Sequence, residues 1–311
     1  MSRFLVTGGA GFIGSHIAER LVKEGHSVRV LDNFSSGRIS NLKGCLNKIE
    51  LVRGDICSQP TCVKASRGID FVLHQAALRS VPKSLQEPEK YNAVNIGGTL
   101  NMLEASRKNR VRRFVFASSS SVYGEIKSFP EKEAFIPQPI SPYALSKLAG
   151  EYYCYIFSRH YGLPTVALRY FNVFGPRQAL DDEYAVVIPK FINCMLKGKA
   201  PPVYGTGRQS RDFTFISNVV EANLLAARRA GLKSGVFNIA SGRDYTILEL
   251  VGSLNEILGK KVKPVFLKKR PGDVFRTLAD LSHSKNILRF SPKINFIRGL
   301  SITVDYWRSN G

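Results

Sequence analysis

No two cysteines of this chain form a Cys-x-x-Cys pair. The five present, Cys45, Cys57, Cys62, Cys154 and Cys194, are scattered and odd in number. That argues against a disulfide framework and against a zinc or other metal site, and reduced, structural thiols are expected. Also missing are an apolar run of about 18 residues and a charged-then-apolar leader ahead of the first strand, so a cytoplasmic chain without membrane spans is expected. No internal repeat or low-complexity linker interrupts it. Acid is the other scarcity: 24 Asp and Glu face 45 Lys and Arg, a net charge of +21. Such a surplus attracts polyanions or anionic small molecules by long-range steering. Nucleic acid is one such partner, but the basic residues are spread along the chain. The densest clusters, Lys108 to Arg113 and Lys260 to Arg270, have Phe266 as their single aromatic and carry no nucleic-acid motif. The expectation is a basic, solvated surface without nucleic acid.

What the chain does have is length and apolar content, 311 residues at 44%, enough for one large α/β domain or a main domain carrying a smaller one. It opens with a buried strand, Phe4-Leu5-Val6. A glycine turn follows, Thr7-Gly8-Gly9-Ala10-Gly11-Phe12-Ile13-Gly14, and then an amphipathic helix, Ser15 to Glu24. Strand, glycine turn and helix come in the order a dinucleotide pyrophosphate requires: the glycines allow close backbone approach, and the helix start offers free N–H groups. The glycines fit two registers, Gly9-x-Gly11-x-x-Gly14 and Gly8-x-x-Gly11-x-x-Gly14.

A second strand, Ser27 to Leu31, ends at Asp32, 18 residues past Gly14. A carboxylate there can accept from ribose hydroxyls and would repel a 2′-phosphate, which favours NAD over NADP; the competing role is to cap the next turn. The third strand, Ile49 to Arg53, leads to Asp55-Ile56, a position for adenine contacts. The fourth, Asp70 to Leu73, runs into His74-Gln75-Ala76-Ala77, whose small residues let backbone pass close to a cofactor. His74 is expected to be structural, since nothing nearby has metal-ligand spacing. A helical stretch, about Pro88 to Asn109, carries Asn95 in its middle. The fifth strand, Arg113 to Ala117, meets four serines, Ser118 to Ser121. This alternation predicts a parallel, doubly wound sheet with ligands at the C-terminal strand ends, although a serine run alone can be only a polar turn.

A helix from Pro142 to about Tyr161, with Ser141 as N-cap, places Tyr143 and Lys147 on one face. There the ammonium can favour the ionised phenol and make Tyr143 a candidate general base. Gly162-Leu163-Pro164 ends the helix. A sixth strand, Thr165 to Leu168, reaches Arg169-Tyr170-Phe171-Asn172-Val173-Phe174-Gly175-Pro176-Arg177. Beyond it the alternation stops. Strand-like pieces at Pro202 to Tyr204, Asp212 to Ile216 and Val262 to Phe266 mix with helices near Ser217 to Arg229 and Thr246 to Leu258.

Together the glycine turn, the Tyr143-x-x-x-Lys147 pair and the Arg-Tyr-Phe-Asn-Val-Phe-Gly segment resemble the extended short-chain dehydrogenase/reductase family. Within it, the chain is most similar to the NAD-dependent nucleotide-sugar epimerases, from Phe4 to about Trp307. The resemblance implies an α/β fold: a Rossmann-type doubly wound parallel sheet over residues 1–172, with the chain returning around 212–240. A smaller mixed α/β C-terminal lobe, mainly 173–311, would hold a UDP-sugar. It implies bound NAD in contact with Gly8, Gly11, Phe12, Ile13, Gly14, Asp32, Asn33, Ser35, Gly37, Asp55, Ile56, Gln75, Ala76, Ala77, Asn95, Tyr143, Lys147 and Tyr170. Ser119 matches the family's catalytic serine, with Ser120 and Ser121 able to assist. Tyr143 would take the sugar 4-hydroxyl proton, and Lys147 would hold the nicotinamide ribose and keep the tyrosine pKa low. Arg79 would lie near the cofactor pyrophosphate. By the same resemblance Ser80, Ser119, Ser120, Tyr143, Asn172, Val187, Tyr204, Arg211, Arg270, Asp273 and Thr277 contact the substrate. Asn172 and Arg211 would meet the diphosphate, Arg270 and Asp273 the nucleotide.

The family's 4,6-dehydratases and uronate decarboxylases carry a glutamate where this chain has Ser121, and the dehydratases an aspartate at Ser120. Neither serine can act as a carboxylate acid or base, which leaves C4 epimerisation. Thr277 matches the family's substrate gate, where a bulky tyrosine excludes N-acetyl groups and a small residue admits them. The expectation is reversible epimerisation of UDP-N-acetylglucosamine, and of UDP-glucose. A UDP-glucuronate 4-epimerase and a catalytically silent NAD-sensing module are the alternatives. The family's usual homodimer would pair the helices at about Pro88 to Asn109 and Pro142 to Tyr161.

Overall fold

Continuous apolar strands determine the centre of this molecule. Phe4, Leu5 and Val6 are fully buried, the pattern of a parallel strand covered on both faces, and each such side chain contributes roughly 1.5–3 kcal/mol on burial. The computed structural model describes residues 1–178, 187–268 and 274–310. The strands of its main sheet in the first half are β1 (Arg3–Thr7), β2 (Ser27–Asp32), β3 (Ile49–Arg53), β4 (Phe71–His74), β5 (Arg113–Ser119) and β6 (Thr165–Tyr170). Between them run α1 (Phe12–Lys23), α2 (Gln59–Ser66), α3 (Val81–Gln86), α4 (Pro88–Tyr91), α5 (Gly98–Lys108) and α6 (Pro142–Tyr161). The chain continues with β7 (Val173–Phe174), α7 (Val187–Leu196), β8 (Pro202–Tyr204), β9 (Ser210–Asp212), β10 (Thr214–Phe215), α8 (Ile216–Arg228) and β11 (Ser234–Ile239). It closes with β12 (Asp244–Thr246), α9 (Ile247–Leu258), β13 (Val265–Leu267) and α10 (Phe296–Asn310).

Seven strands form one parallel sheet in the order β3-β2-β1-β4-β5-β6-β11. The order reverses between β1 and β4, which opens a crevice at their carboxyl ends. Thr7 ends β1 there, opposite Leu31 of β2 and His74 of β4. Helices cover both faces, giving the doubly wound α/β fold expected. Two apolar clusters fill the layers, one including Ile17, Leu21 and Phe237, the other Met102, Leu103 and Phe157. Outside the main sheet, β10 pairs with β7, β12 with β9 and β13 with β8. Phe213 stacks on Phe296, and Phe174 meets both edge-on.

Several boundaries differ from the sequence reading, each for a local reason. Strand β5 runs past Ala117 because Ser118 and Ser119 still pair with Arg169 and Tyr170 of β6. Helix α1 starts at Phe12, directly on the glycine turn. The segment read as a strand from Asp212 to Ile216 is divided: β9 pairs with β12, β10 pairs with β7, and Ile216 already begins α8. The helix read from Pro88 to Asn109 contains a π-helical segment, Asn92–Gly97, whose wide turn carries Asn95; such segments recur at functional sites. Among the described residues, no helix is long and apolar enough to cross a membrane.

Candidate functional site

The glycine turn is built by close approach. Gly8 has φ +64°, and a Cβ on it would sit 2.8 Å from the backbone of Ala76, while one on Gly14 would sit 2.2 Å from the Gly8 carbonyl. The Gly8 N–H donates to Leu31 O, and Ala76 N donates to Thr7 Oγ1, so the turn is fixed to both flanking strands. Of the two glycine registers, Gly8, Gly11 and Gly14 line the large cavity above it, of about 380 Å³. Gly9 instead packs on Val30. Gly11 is the N-cap of helix α1 and offers no side-chain cap, and the first N–H groups of a helix have no partner inside it. A space that any Cβ would fill, floored by helix-start amides, fits the pyrophosphate of NAD.

Asp32 and Asp55 lie along one side of this cavity. Asp32 accepts from Ala10 N at 2.9 Å and from Phe34 N at 2.8 Å. It therefore caps its turn and still lines the cavity, and a carboxylate has about four acceptor positions, so some remain for ribose hydroxyls. A Cβ on Gly37 would lie 2.9 Å from an Asp32 oxygen, so glycine is required there. Asp55 accepts from Cys57 N and from Asn33, and the Cys57 N–H holds its carboxyl below the usual range. Asn33, Ser35, Asp55, Ile56, Gln75, Ala76, Ala77 and Arg79 all line the cavity with Phe12 and Ile13. Tyr170 also lines it, with its hydroxyl bonded to Gln75 and to Asn223 of α8; burial raises that phenol, so it stays neutral.

At the other end of the cavity lie Ala117, Ser118, Tyr143 and Lys147. Ser141 accepts from Ala144 N, and Pro142 opens the helix, as the sequence predicts. Tyr143 sits edge-on to Tyr91, with ring centres 6.5 Å apart. Burial raises its phenol above the ordinary tyrosine range; a hydrogen bond with Ser119 and the charge of Arg79 pull the other way. Lys147 is buried, donates to Ala117 O at 2.8 Å, and has its ammonium lowered to about 8 by burial. In this geometry desolvation dominates both groups, and the lysine charge is directed at a backbone carbonyl. Ser119 accepts from Ser121 N and Ser121 Oγ, which aligns the serine run beside the phenol.

Other expected residues stand elsewhere. Asn95 is buried, with its amide bonded to Leu78 N, Leu78 O and Ser146 Oγ. It fastens the Leu78 segment to α6, and its side chain is not in the cavity's described lining. Ser80 caps α3 by accepting from Lys83 N. Asn172, at φ +34°, donates to Asp212 O at 3.1 Å and to Thr277 Oγ1 at 2.9 Å. Arg211 is buried and donates to the carbonyls of Ser210 and Phe275. Val187 begins α7, and Lys190 lies over the Tyr204 ring. Ser80, Ser119, Ser120, Asn172, Val187, Tyr204, Arg211 and Thr277 are all outside the described lining of the large cavity. Arg270 and Asp273 lie outside the described residues.

Sequence reasoning missed Arg38, Arg177, Gln178, Tyr306 and Trp307, which complete the cavity wall. The last two come from α10 at the far end of the chain, and no local motif announces them. It also missed the buried support beneath the serines. Glu151 holds Arg169 through two bonds, 2.9 and 2.7 Å, and accepts from Ser118 at 2.5 Å. Glu151 stands four residues past Lys147, on the same helix face, and that spacing could have drawn attention to it. His74 is structural, as expected: it is buried between Thr7 and Thr99 and lowered to about 3 by desolvation. Among the described residues, no group of three or more His, Cys, Asp or Glu could hold a metal ion.

Known proteins share this fold. The model of the NAD dependent epimerase/dehydratase family matches residues 4–240. The UDP-N-acetylglucosamine 4-epimerase of Methanobrevibacter ruminantium, solved with UDP-N-acetylmuramic acid, superposes with a TM-score of 0.95 at 40% identity, covering 100% of this chain and 99% of that one. The UDP-glucose 4-epimerase of Thermotoga maritima, solved with UDP-glucose, gives 0.94 at 39% identity over 99% of each chain. The UDP-glucuronic acid 4-epimerase of Bacillus cereus, solved with UDP-glucuronic acid and NAD, gives 0.91 at 34% identity, covering 99% of this chain and 100% of that one.

Proposed function

This chain belongs to the NAD dependent epimerase/dehydratase family, and we propose that it catalyses the reversible C4 epimerisation of a UDP-hexose, with UDP-N-acetylglucosamine and UDP-N-acetylgalactosamine as its principal pair and UDP-glucose and UDP-galactose as further substrates. The observation that carries the reading is that Tyr143 and Lys147 line the cavity floored by Gly8, Gly11 and Gly14, with Ser119 at the end of β5 hydrogen-bonded to Tyr143.

When bound, NAD supplies the hydride acceptor, and then the donor, at the sugar C4. Gly11, Phe12, Ile13 and Gly14 present their backbone to its pyrophosphate, and Asp32 accepts from its adenosine ribose. Tyr143 takes the proton from the 4-hydroxyl at its phenolic oxygen and later returns it to the 4-keto sugar. Ser119 holds that oxygen and the substrate hydroxyl in line. Lys147 anchors the nicotinamide ribose and, as an ammonium, offsets negative charge on the phenolate. Ser120 and Ser121 offer no carboxylate for chemistry at carbons 5 and 6. The small Thr277 leaves room for an N-acetyl group, and Asn172, Arg211, Arg270 and Asp273 are the proposed diphosphate and nucleotide contacts.

A homodimer fits the surface of α6, where Tyr152, Tyr155 and Ile156 are 59%, 57% and 39% exposed; Ile156→Glu should then shift the sedimenting mass toward a monomer. The catalytic reading is tested by incubating the protein with each UDP-sugar, without added nicotinamide, and separating the products. Interconversion of the N-acetylated pair is expected. Turnover of UDP-glucuronate alone would move the substrate to the uronic acid, and no interconversion at all would sink the proposal.

A further inference from the structure

A second cavity, of about 250 Å³, opens between the C-terminal ends of α1 and α8 and the Leu288-Arg289 corner. Both helices run back from the carboxyl edge of the sheet, so this cavity lies at the opposite edge from Tyr143 and Lys147. Four guanidiniums line it, Arg20, Arg228, Arg229 and Arg289, against two carboxylates, Glu24 and Glu221. Leu224, Leu225 and Leu288 supply an apolar floor.

The carboxylates are already occupied. Glu24 pairs with Arg20 and Arg228, and Glu221 with Arg20 and with Lys293 from outside the cavity. The guanidiniums of Arg229 and Arg289 make no ion pair or hydrogen bond among the described residues. Helix C-termini carry negative partial charge, which would oppose an anion, but their carbonyls are occupied too. Arg113 takes those of Ala226, Ala227 and Arg229, and the chain's own turn takes Arg20, Leu21 and Val22. Arg289 holds φ +60°, a backbone conformation that usually belongs to glycine, yet here it carries a cation toward the cavity rim. Like charges crowded around a concavity focus a positive field, and planar guanidiniums match phosphate oxygens in pairs.

The geometry points to an anion site for a small phosphate-bearing molecule at this cavity, separate from the NAD and nucleotide-sugar cavity. It gives part of the +21 surplus a specific use. The site needs no movement of the fold, because the two unengaged arginines already stand at its wall.

Pyrophosphate is the probe, titrated calorimetrically into the whole protein at constant ionic strength with saturating NAD and UDP present. One saturable site is expected, weakened by about tenfold or more in Arg229→Gln/Arg289→Gln as two charge-assisted contacts are lost. The control pair Lys108→Gln/Arg110→Gln should bind as the unaltered protein does. Thermal unfolding should rise with pyrophosphate in the unaltered protein and not in the cavity double variant. The proposal is overturned if NAD and UDP abolish the binding, if both double variants bind equally, or if chloride at the same ionic strength gives the same thermal shift.

Discussion

The Lys147 ammonium lies 5.9 Å from the centre of the Tyr143 ring while donating a 2.8 Å hydrogen bond to the Ala117 carbonyl. Spacing on the helix brings the two side chains to one face, but strand β5 decides where the charge goes. Burial favours the neutral form of each, raising the phenol and lowering the ammonium to about 8. An ionised pair is more favourable than either ion alone in such a site. The base and its counter-charge are therefore expected to act as a unit.

Tyr143→Phe removes the only proton-accepting atom while keeping the ring against Tyr91. Turnover should fall by about 10²–10⁴-fold, the usual contribution of a general acid or base. UDP-hexose affinity, measured calorimetrically, should stay near that of the unaltered enzyme. Full activity in this variant would mean that the base is another group.

Lys147→Met keeps most of the side-chain volume and deletes the donor to Ala117. A buried carbonyl left without its partner costs about 1–3 kcal/mol, so a lower melting temperature should accompany weaker NAD retention on gel filtration. Unchanged NAD retention would remove Lys147 from the cofactor site.

The first half of this fold was legible because its signals are local. A buried strand, a glycine turn and a helix start are neighbours in the chain, and Asp32 and Asp55 end consecutive strands beside them. Helix α6 announced itself through Ser141, Pro142 and the spacing of Tyr143 and Lys147. What could not be read is what the chain assembles from a distance. Trp307 joins the cavity from α10, Asn223 reaches Tyr170 from α8, and Asp212 accepts from Ser241, Gly242 and Ala279. Nor can spacing reveal that burial acts first on both groups. The pairing of Tyr143 with Lys147 was read from i, i+4 geometry alone, which carries no information on burial.

Gly14→Ala tests the turn. Its new Cβ would begin 2.2 Å from the Gly8 carbonyl and 2.7 Å from Gly9 Cα, and both are backbone atoms that cannot rotate away. Overpacking of this kind costs about 1–3 kcal/mol, and the displaced turn should weaken NAD binding as well. Wild-type stability together with wild-type NAD affinity would show that the turn is looser than its geometry requires.

The hydrogen bonds of Thr277 and its proposed role as substrate gate can be resolved by separate variants. Its hydroxyl accepts from Asn172 Nδ2 and from Asp212 N, so Thr277→Val removes hydrogen bonds without changing bulk and should slow all UDP-hexoses alike. Thr277→Tyr adds bulk and should penalise the N-acetylated sugars selectively. Equal losses on both substrate classes in the tyrosine variant would refute the gate.

Glu131 makes stability depend on pH. It is 2% exposed, and its Oε2 has no hydrogen-bond partner. Burial raises the carboxyl from 4.5 to about 8; the Leu278 N–H lowers it, the negative charge of Asp212 raises it further, and Arg169 and Arg211 lower it. Asp212 is itself raised to about 6, chiefly by burial. The folded chain thus keeps a proton on Glu131 that the unfolded chain releases from about pH 4.5 upward. Its contribution to stability is complete below that pH and is lost as pH rises through about 8. The melting temperature of the unaltered protein should therefore fall relative to that of Glu131→Gln, neutral throughout, between pH 5 and pH 8.5. The variant's advantage should reach on the order of 1–3 kcal/mol at the alkaline end. Parallel melting curves for the two proteins across this range would mean that Glu131 ionises in the folded state as freely as in the unfolded one.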